Sequence, residues 1–277
     1  MIRAEIIADS IVKETGARVT TFLLTFPRWI LAEMNTHRVF SRNTSSSRAI
    51  PVQKIISEVI KNPAMPIRFG LAKKGMQDGG PLTNTANKFA AWVWLLSRWP
   101  VILCVLVLLK LKVHKQFANR LLEPWTWCHQ VVTSTYWRNF YKLRNHEDAQ
   151  PEIHELAKQM YELHKQSVPK ELRAGEWHLP FSDQHIPDEV SIEDKLKICT
   201  ARCARTSYNN FYGKNDVNSD IKLCEVLASS GHWSPFEHCC MAMTTAKRSG
   251  NFIGFEQYRK QFPLEDGNDS GLYFTPY

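Results

Sequence analysis

The sequence has no Cys-x-x-Cys pair, no run of like charges that could form a basic or acidic tail, and no RNA- or DNA-binding signature. Its seven cysteines are scattered along 277 residues. An odd, unpatterned cysteine count argues against a disulfide-built secreted chain. The N-terminus, MIRAEIIADSIV, alternates like a strand and lacks the apolar core of a leader, so a cytoplasmic protein is expected. Long hydrophobic runs are also scarce. The exception is Phe89 to Leu111, where Arg98 and Pro100 interrupt the pattern. The unbroken run from Val101 to Leu109 is too short for a bilayer-spanning helix. A buried or subunit-packing helix is expected there, with no membrane partner.

The composition that remains is that of a globular chain. With 44% hydrophobic and 11% aromatic residues it can build one large domain or two small ones. A net charge of +8 suggests anionic ligands. Its arginines are dispersed, which favours small phosphorylated molecules over nucleic acid.

Ser10 to Leu24 reads as turn and strand, punctuated by Gly16, and Val19 to Leu24 is rich in strand formers. Pro27 suits the first turn of a helix running to about Asn35. Proline and glycine around Gly75 and Gly79–Pro81 predict an irregular excursion over 63–84. Helices are expected over 86–97, 101–122 and 130–145. Another opens at Pro151, with an apolar stripe of Ile153, Ala157, Met160 and Leu163. Pro180 to Pro187 reads as the main connector. Beyond it, Ile192 to Tyr208 and Asp220 to Ser230 read as helices, the second closed by Gly231. Ser234-Pro235-Phe236-Glu237 has the pattern of a capping box, and alternation from His238 to Thr245 suggests a strand. A weak echo links Phe26-Pro27-Arg28-Trp29…His37-Arg38 with Asn251-Phe252-Ile253…Tyr258-Arg259-Lys260.

Three blocks carry chemistry. The first, Thr36-His37-Arg38-Val39-Phe40-Ser41-Arg42-Asn43-Thr44-Ser45-Ser46-Ser47-Arg48, strings three arginines and four serines between apolar elements. Composition alone would make this a solvated loop. Guanidinium forks and hydroxyls together, however, can also cradle phosphate. The second is Gly231-His232-Trp233-Ser234-Pro235-Phe236-Glu237-His238, and the third runs from Asn139-Phe140 through Leu143-Arg144 to Ala149-Gln150 and Glu152-Ile153. The spacing of all three resembles the flavin-dependent thymidylate synthase family. His37-Arg38 followed by Ser46 is similar to its Arg-His-Arg-x7-Ser signature, and Ser41, Asn43, Ser46 and Arg48 stand where the family continues it. Thr36 and Thr44 depart from the arginine and glutamate usual there, and Glu33 stands where a glutamine is usual. Cys203-Ala204-Arg205-Thr206-Ser207-Tyr208 and Arg120-Leu121-Leu122-x-Pro124 are shorter matches. In the usual family the Ser-Pro-Phe-Glu-His segment precedes the Arg-His-Arg motif. Here it follows, so the chain looks permuted or built with a duplicated strand–helix unit.

The resemblance implies a single α+β domain, with a central, mostly antiparallel sheet flanked by long helices. Its nucleotide and flavin motif and substrate helix fall in 1–179, and its flavin-contacting segment in 188–277. It further implies FAD, with methylenetetrahydrofolate as carbon donor and NADPH as reductant, methylation of dUMP, and a homotetramer with active sites shared between subunits. Arg144 would be catalytic, contacting the uracil ring. Glu33, Ser46, Ser47, Arg48 and Arg120 would join it in holding the nucleotide. His37, Arg38, Asn43, Thr44, Asn139, Ser207, His232, Ser234 and Glu237 would line the flavin. Arg259 is a candidate for the cation missing at Thr36. A nucleotide hydroxymethylase, a non-catalytic nucleotide-binding homologue, and dCMP in place of dUMP are the alternatives. No metal is expected, because His232, His238, Cys239 and Cys240 are poorly spaced for zinc and adjacent strand cysteines point to opposite faces. Cys128 beside His129 reads as a buried, inert thiol.

Overall fold

The computed structural model describes residues 1–183, 186–187, 189–208 and 216–262. Part of the expected connector, the proposed boundary at Asp188 and the tail from Pro263 lie outside the described residues.

Two ten-residue strands, β1 (Arg3–Val12) and β2 (Arg18–Pro27), form an antiparallel hairpin around Gly16, whose φ of +69° suits glycine. A tight turn, Arg28–Ile30, leads into the short helix α1 (Leu31–Asn35), so Pro27 closes the strand rather than opening the helix. β3 (Ser41–Thr44) carries the heart of the first motif. α2 (Val52–Lys61) is followed by the irregular 63–84 excursion, with one bridge between Gly70 and Pro81. Next come α3 (Asn84–Lys110), α4 (Lys115–Ala118) and a 3-10 segment, Asn119–Trp125. β4 (Trp127–Ser134), α5 (Arg138–Arg144), α6 (Pro151–Gln166), β5 (Lys170–Leu172) and β6 (Trp177–His178) follow. α7 (Ile192–Arg205), α8 (Val217–Ser229), β7 (Cys240–Ala242), β8 (Arg248–Ser249), β9 (Phe252–Ile253) and β10 (Phe255–Gln257) complete the described chain.

The main sheet has the order β3-β4-β2-β1-β5 and is antiparallel except for the β1–β5 pair. This is the expected α+β class. β2 and β4 are covered on both faces. One face sets Phe22, Leu24 and Phe26 against Ile153, Leu156, Ala157 and Met160 of α6. On the other, Leu23 and Val131 meet Phe181 and Cys203 of α7. Period-two alternation aims successive residues at these two cores.

A line of buried polar groups fastens a second sheet, β10-β7-β6, to the first. Ser10 Oγ is hydrogen-bonded to His178 Nδ1, His178 Nε2 to Thr21 Oγ1, Thr21 to Thr133, and Thr133 Oγ1 to His238 Nδ1, each at 2.8 Å. Burial holds both imidazoles well below their usual value, His178 at about 4 and His238 at about 3. Nearby, Asp220 of α8 binds Arg202 Nε at 3.2 Å and Arg205 Nε at 2.8 Å, pinning α8 to α7.

Several expectations need correction. Residues 127–134 are strand, not helix, because Val131, Val132 and Thr133 are β-branched and pair with both β2 and β3. Helix begins only at Arg138. The two helices expected over 86–97 and 101–122 are instead one, which runs through Pro100 and ends at Lys110. Trp94 before the proline and Val101, Ile102 and Val105 after it rest on the same apolar support from α2 and the 119–125 segment, which keeps both halves in line. Ser234–Glu237 is a 3-10 turn without a side-chain cap, with Trp233 at the cap position. The strand expected over 238–245 is confined to Cys240–Ala242. Gly231 does close α8, at φ +70°. The echo survives only as a strand running into a 3-10 turn, β2 into Arg28–Ile30 and β10 into Tyr258–Gln261.

Candidate active site

The first motif wraps from α1 around the edge strand β3, and α5 brings Arg144 against its start. His37 is 6% exposed, stacked on Phe40 with ring centroids 5.5 Å apart and met edge-on by Phe140 at 5.0 Å. Burial first, then the guanidiniums of Arg144 and Arg42, push its pKa down to about 4. The ring is therefore neutral near pH 7, and its Nε2 accepts a hydrogen bond from Arg144 Nε at 3.1 Å. Arg144 Nη2 donates to Thr36 Oγ1 at 3.3 Å. The departure at Thr36 thus places a hydroxyl within reach of Arg144.

The second motif, almost two hundred residues away in sequence, lands on the same strand. The Ser234–Glu237 turn packs against β3. Gln257 Nε2 and Asn251 Nδ2 both donate to Ser41 Oγ, at 2.9 and 3.1 Å, and Asn251 also donates to Val39 O at 3.1 Å. Burial and the charge of Arg38 lower the pKa of Arg42, and Glu237 opposes that shift. Glu237 itself accepts from Arg259 Nη1 at 2.6 Å. Arg259 is therefore placed on Glu237, while Thr36 is engaged by Arg144. Ser46 N donates to Ser207 O at 3.0 Å, joining the motif to the 3-10 turn that follows α7.

Other expected site residues are engaged inside the fold. Asn43 is buried, and its Nδ2 donates to Cys203 O at 3.3 Å. Thr44 Oγ1 accepts from Gln130 Nε2 at 2.7 Å. Ser47 Oγ donates to Glu123 Oε1 at 2.8 Å, and the exposed Arg120 reaches the same carboxylate at 3.4 Å. These side chains shape the loop from within. Arg38, Arg48, Asn139, His232 and Ser234 are exposed and Glu33 is half-buried. His232 Nδ1 lies 3.1 Å from Ser230 Oγ, within its own turn. Sequence reasoning passed over Arg42, Asn251 and Gln257 as site residues. Arg42 sits inside the quoted motif, Asn251 opens the echo segment and Gln257 lies between its two halves, so proximity to motif residues was their only signal.

The constellation fits an anion. His37, Arg38, Arg42 and Arg144 bring three guanidiniums and a neutral imidazole to one edge of the sheet, and crowding between Arg38 and Arg42 is already felt in Arg42. Such crowding is relieved by phosphate groups, which suits both a nucleotide and FAD. Cys128 is fully buried, and its thiol pKa is raised by burial. Among the described residues, no three His, Cys, Asp or Glu side chains cluster as a metal site would require. A separate cavity of about 530 Å³, lined by Trp29, Arg68, Phe69, Asp78, Trp94 and Glu152, touches the third block over Glu147 to Glu152.

Among curated proteins, no sequence matches the chain. Among solved structures, a UMP/dUMP methylase from Streptomyces cacaoi bound with 5-Br dUMP aligns at 16% identity and TM-score 0.46, over 59% of this chain and 90% of that one. Thymidylate synthase X from Helicobacter pylori, solved with FAD and dUMP, aligns at 18% identity and TM-score 0.36, over 52% of this chain and 66% of that one. The family described as thymidylate synthase complementing protein matches residues 17–170, from the start of β2 to β5 and so including the first and third motifs. The chain belongs to the thymidylate synthase complementing protein family and is a thymidylate synthase-like enzyme.

Proposed function

We propose that the protein methylates dUMP to dTMP with FAD, taking carbon from methylenetetrahydrofolate and reducing power from NADPH. The observation that carries this reading is the convergence on the arginine-rich motif of Arg144, which bonds to its start, and of the Ser-Pro-Phe-Glu turn, which packs on its strand β3. When bound, the flavin supplies the redox chemistry of the transfer. The chain supplies position and charge. The Arg144 guanidinium stabilises negative charge developing on the uracil ring, and its bonds to His37 and Thr36 fix the plane of the guanidinium. Arg48, Arg120 and Ser46 would hold the nucleotide phosphate. Arg38, His37, Asn139, His232, Ser234 and Glu237 would face the flavin.

The motif order is read as permuted or as a duplicated strand–helix unit, a reading supported by the packing of the late Ser234–Glu237 turn on β3. The exposure of Arg38, Arg48, Arg120, Asn139, His232 and Ser234 suits a site finished by other subunits of a homotetramer.

Purified protein titrated with FAD and then dUMP is expected to show a bound-flavin spectrum that dUMP perturbs, and mass spectrometry should find dTMP. A hydroxymethylated product, or no product at all, would overturn the methylation. Arg144→Lys should retain flavin binding yet lose at least tenfold in turnover, since an ammonium cannot reproduce the planar fork.

A further inference from the structure

The longest helix of the molecule presents an apolar stripe to solvent. α3 is 27 residues, about 40 Å long, and only 11% of its most apolar 18-residue stretch is buried. Its two sides differ. Trp94, Val101, Ile102, Val105, Leu108 and Leu109 pack on α2 and the 119–125 segment. On the opposite side Phe89, Trp92, Leu96, Trp99, Leu103 and Leu106 recur at alternating steps of three and four residues and are all exposed, Phe89 at 65% and Leu103 at 62%. That spacing makes one continuous stripe along a helix.

The charges carried by the segment itself have one sign. Between Asp78 and Glu123 there is no acidic residue. Lys88, Lys110 and Lys112 are exposed, whereas Lys115 donates to Ala49 O and Arg120 pairs with Glu123. Lys88 and Lys110 mark the ends of the stripe, and Arg98 lies over the Trp99 ring with 5.1 Å to the centroid. Tryptophans in an apolar stripe bounded by cations match a helix lying in the plane of a lipid headgroup layer. A bilayer-crossing geometry conflicts with the other side of α3, which is held on the protein's own core. Packing against the same stripe of a second copy would set cation beside cation, with no carboxylate in the segment to offset them.

We propose that α3 docks the protein onto the surface of a bilayer containing anionic lipid, its apolar stripe entering the headgroup boundary and its cations meeting the lipid phosphates. This departs from the expectation of a buried helix without a membrane partner, and it stands independently of the enzymatic reading.

The test is vesicle flotation of the full chain, with phosphatidylcholine alone and with phosphatidylcholine plus phosphatidylglycerol. The protein should float with the anionic vesicles, not with the neutral ones, and high salt should release it. The double substitution Leu96→Ser with Leu103→Ser should weaken flotation at least tenfold, and so should Lys110→Glu with Lys112→Glu. All four side chains are exposed, so far-UV circular dichroism and melting should be unchanged. Failure to float with either vesicle, or equal flotation with both, would overturn the proposal. So would a lipid-free dimer, seen by light scattering, that Leu96→Ser with Leu103→Ser dissociates.

Discussion

β2 and α3 are both strongly apolar, yet the fold treats them in opposite ways. From Val19 to Leu24 every residue of β2 is buried, because the strand lies inside a sheet covered on both faces. Within α3 only Ile102 and Val105 are fully buried. Hydropathy sets the cost of exposure, but the number of neighbouring layers decides whether it is incurred. β2 has four neighbours: β1 and β4 within the sheet, and α6 and α7 above and below. α3 has support along one side only.

Substitution separates the two regions. Phe22→Ala removes a fully buried ring that packs edge-on to Trp137 with centroids 5.1 Å apart, and it should cost about 3–5 kcal/mol in denaturant unfolding. A cost under about 1 kcal/mol would mean that the core beneath β2 is loose.

The polar line at the junction of the two sheets adds a pH limit that α3 does not share. His178 and His238 are held at about 4 and about 3, below the usual 6.5, so the unfolded chain binds more protons in that window. Stability is therefore fully present above pH 6.5 and falls as pH drops toward the folded values. Each histidine contributes a slope of about 1.4 kcal/mol per pH unit. Thermal melts at pH 7, 6 and 5 should fall steeply in wild type and less so in His178→Gln. Flat melts across that range would show that neither imidazole is kept neutral.

A smaller effect is expected at the site edge. Thr36→Arg restores the residue usual in the family but sets a guanidinium against Arg144, and should weaken dUMP binding about tenfold, or about 1.4 kcal/mol. Unchanged affinity in a nucleotide titration would show that Thr36 does not position Arg144. Smallest of all, Leu103→Ala on α3 should change lipid-free stability by less than about 0.5 kcal/mol. A large loss there would show that the stripe is covered in solution, and the contrast with β2 would disappear.

Much of this was legible in the sequence. Gly16 and the flanking β-branched residues gave the β1–β2 hairpin, Pro151 with its apolar stripe gave α6, and Gly231 gave the end of α8. The first and third motif blocks lie within the part of the chain that matches the family. Local patterning misled at β4, where a stretch that reads as amphipathic helix is drawn into strand by two partners at once. It misled again at Pro100, whose helix-breaking tendency is outweighed by a shared support. At the site, the sequence named His37 and Arg144 but not the bond between them. It named Asn43, Thr44 and Ser47 as ligand contacts but not their bonds to Cys203, Gln130 and Glu123.

The sequence by itself determined the residue types, their spacing and hence the family, because motif spacing is a local property of the chain. Only the tertiary structure decided that residues 36–48 and 232–259 meet on one strand, and that Thr36 answers Arg144. It alone decided that α3 turns an apolar face outward. Each of these depends on which segments share a layer, and that is fixed by long-range strand pairing and packing that no local pattern encodes.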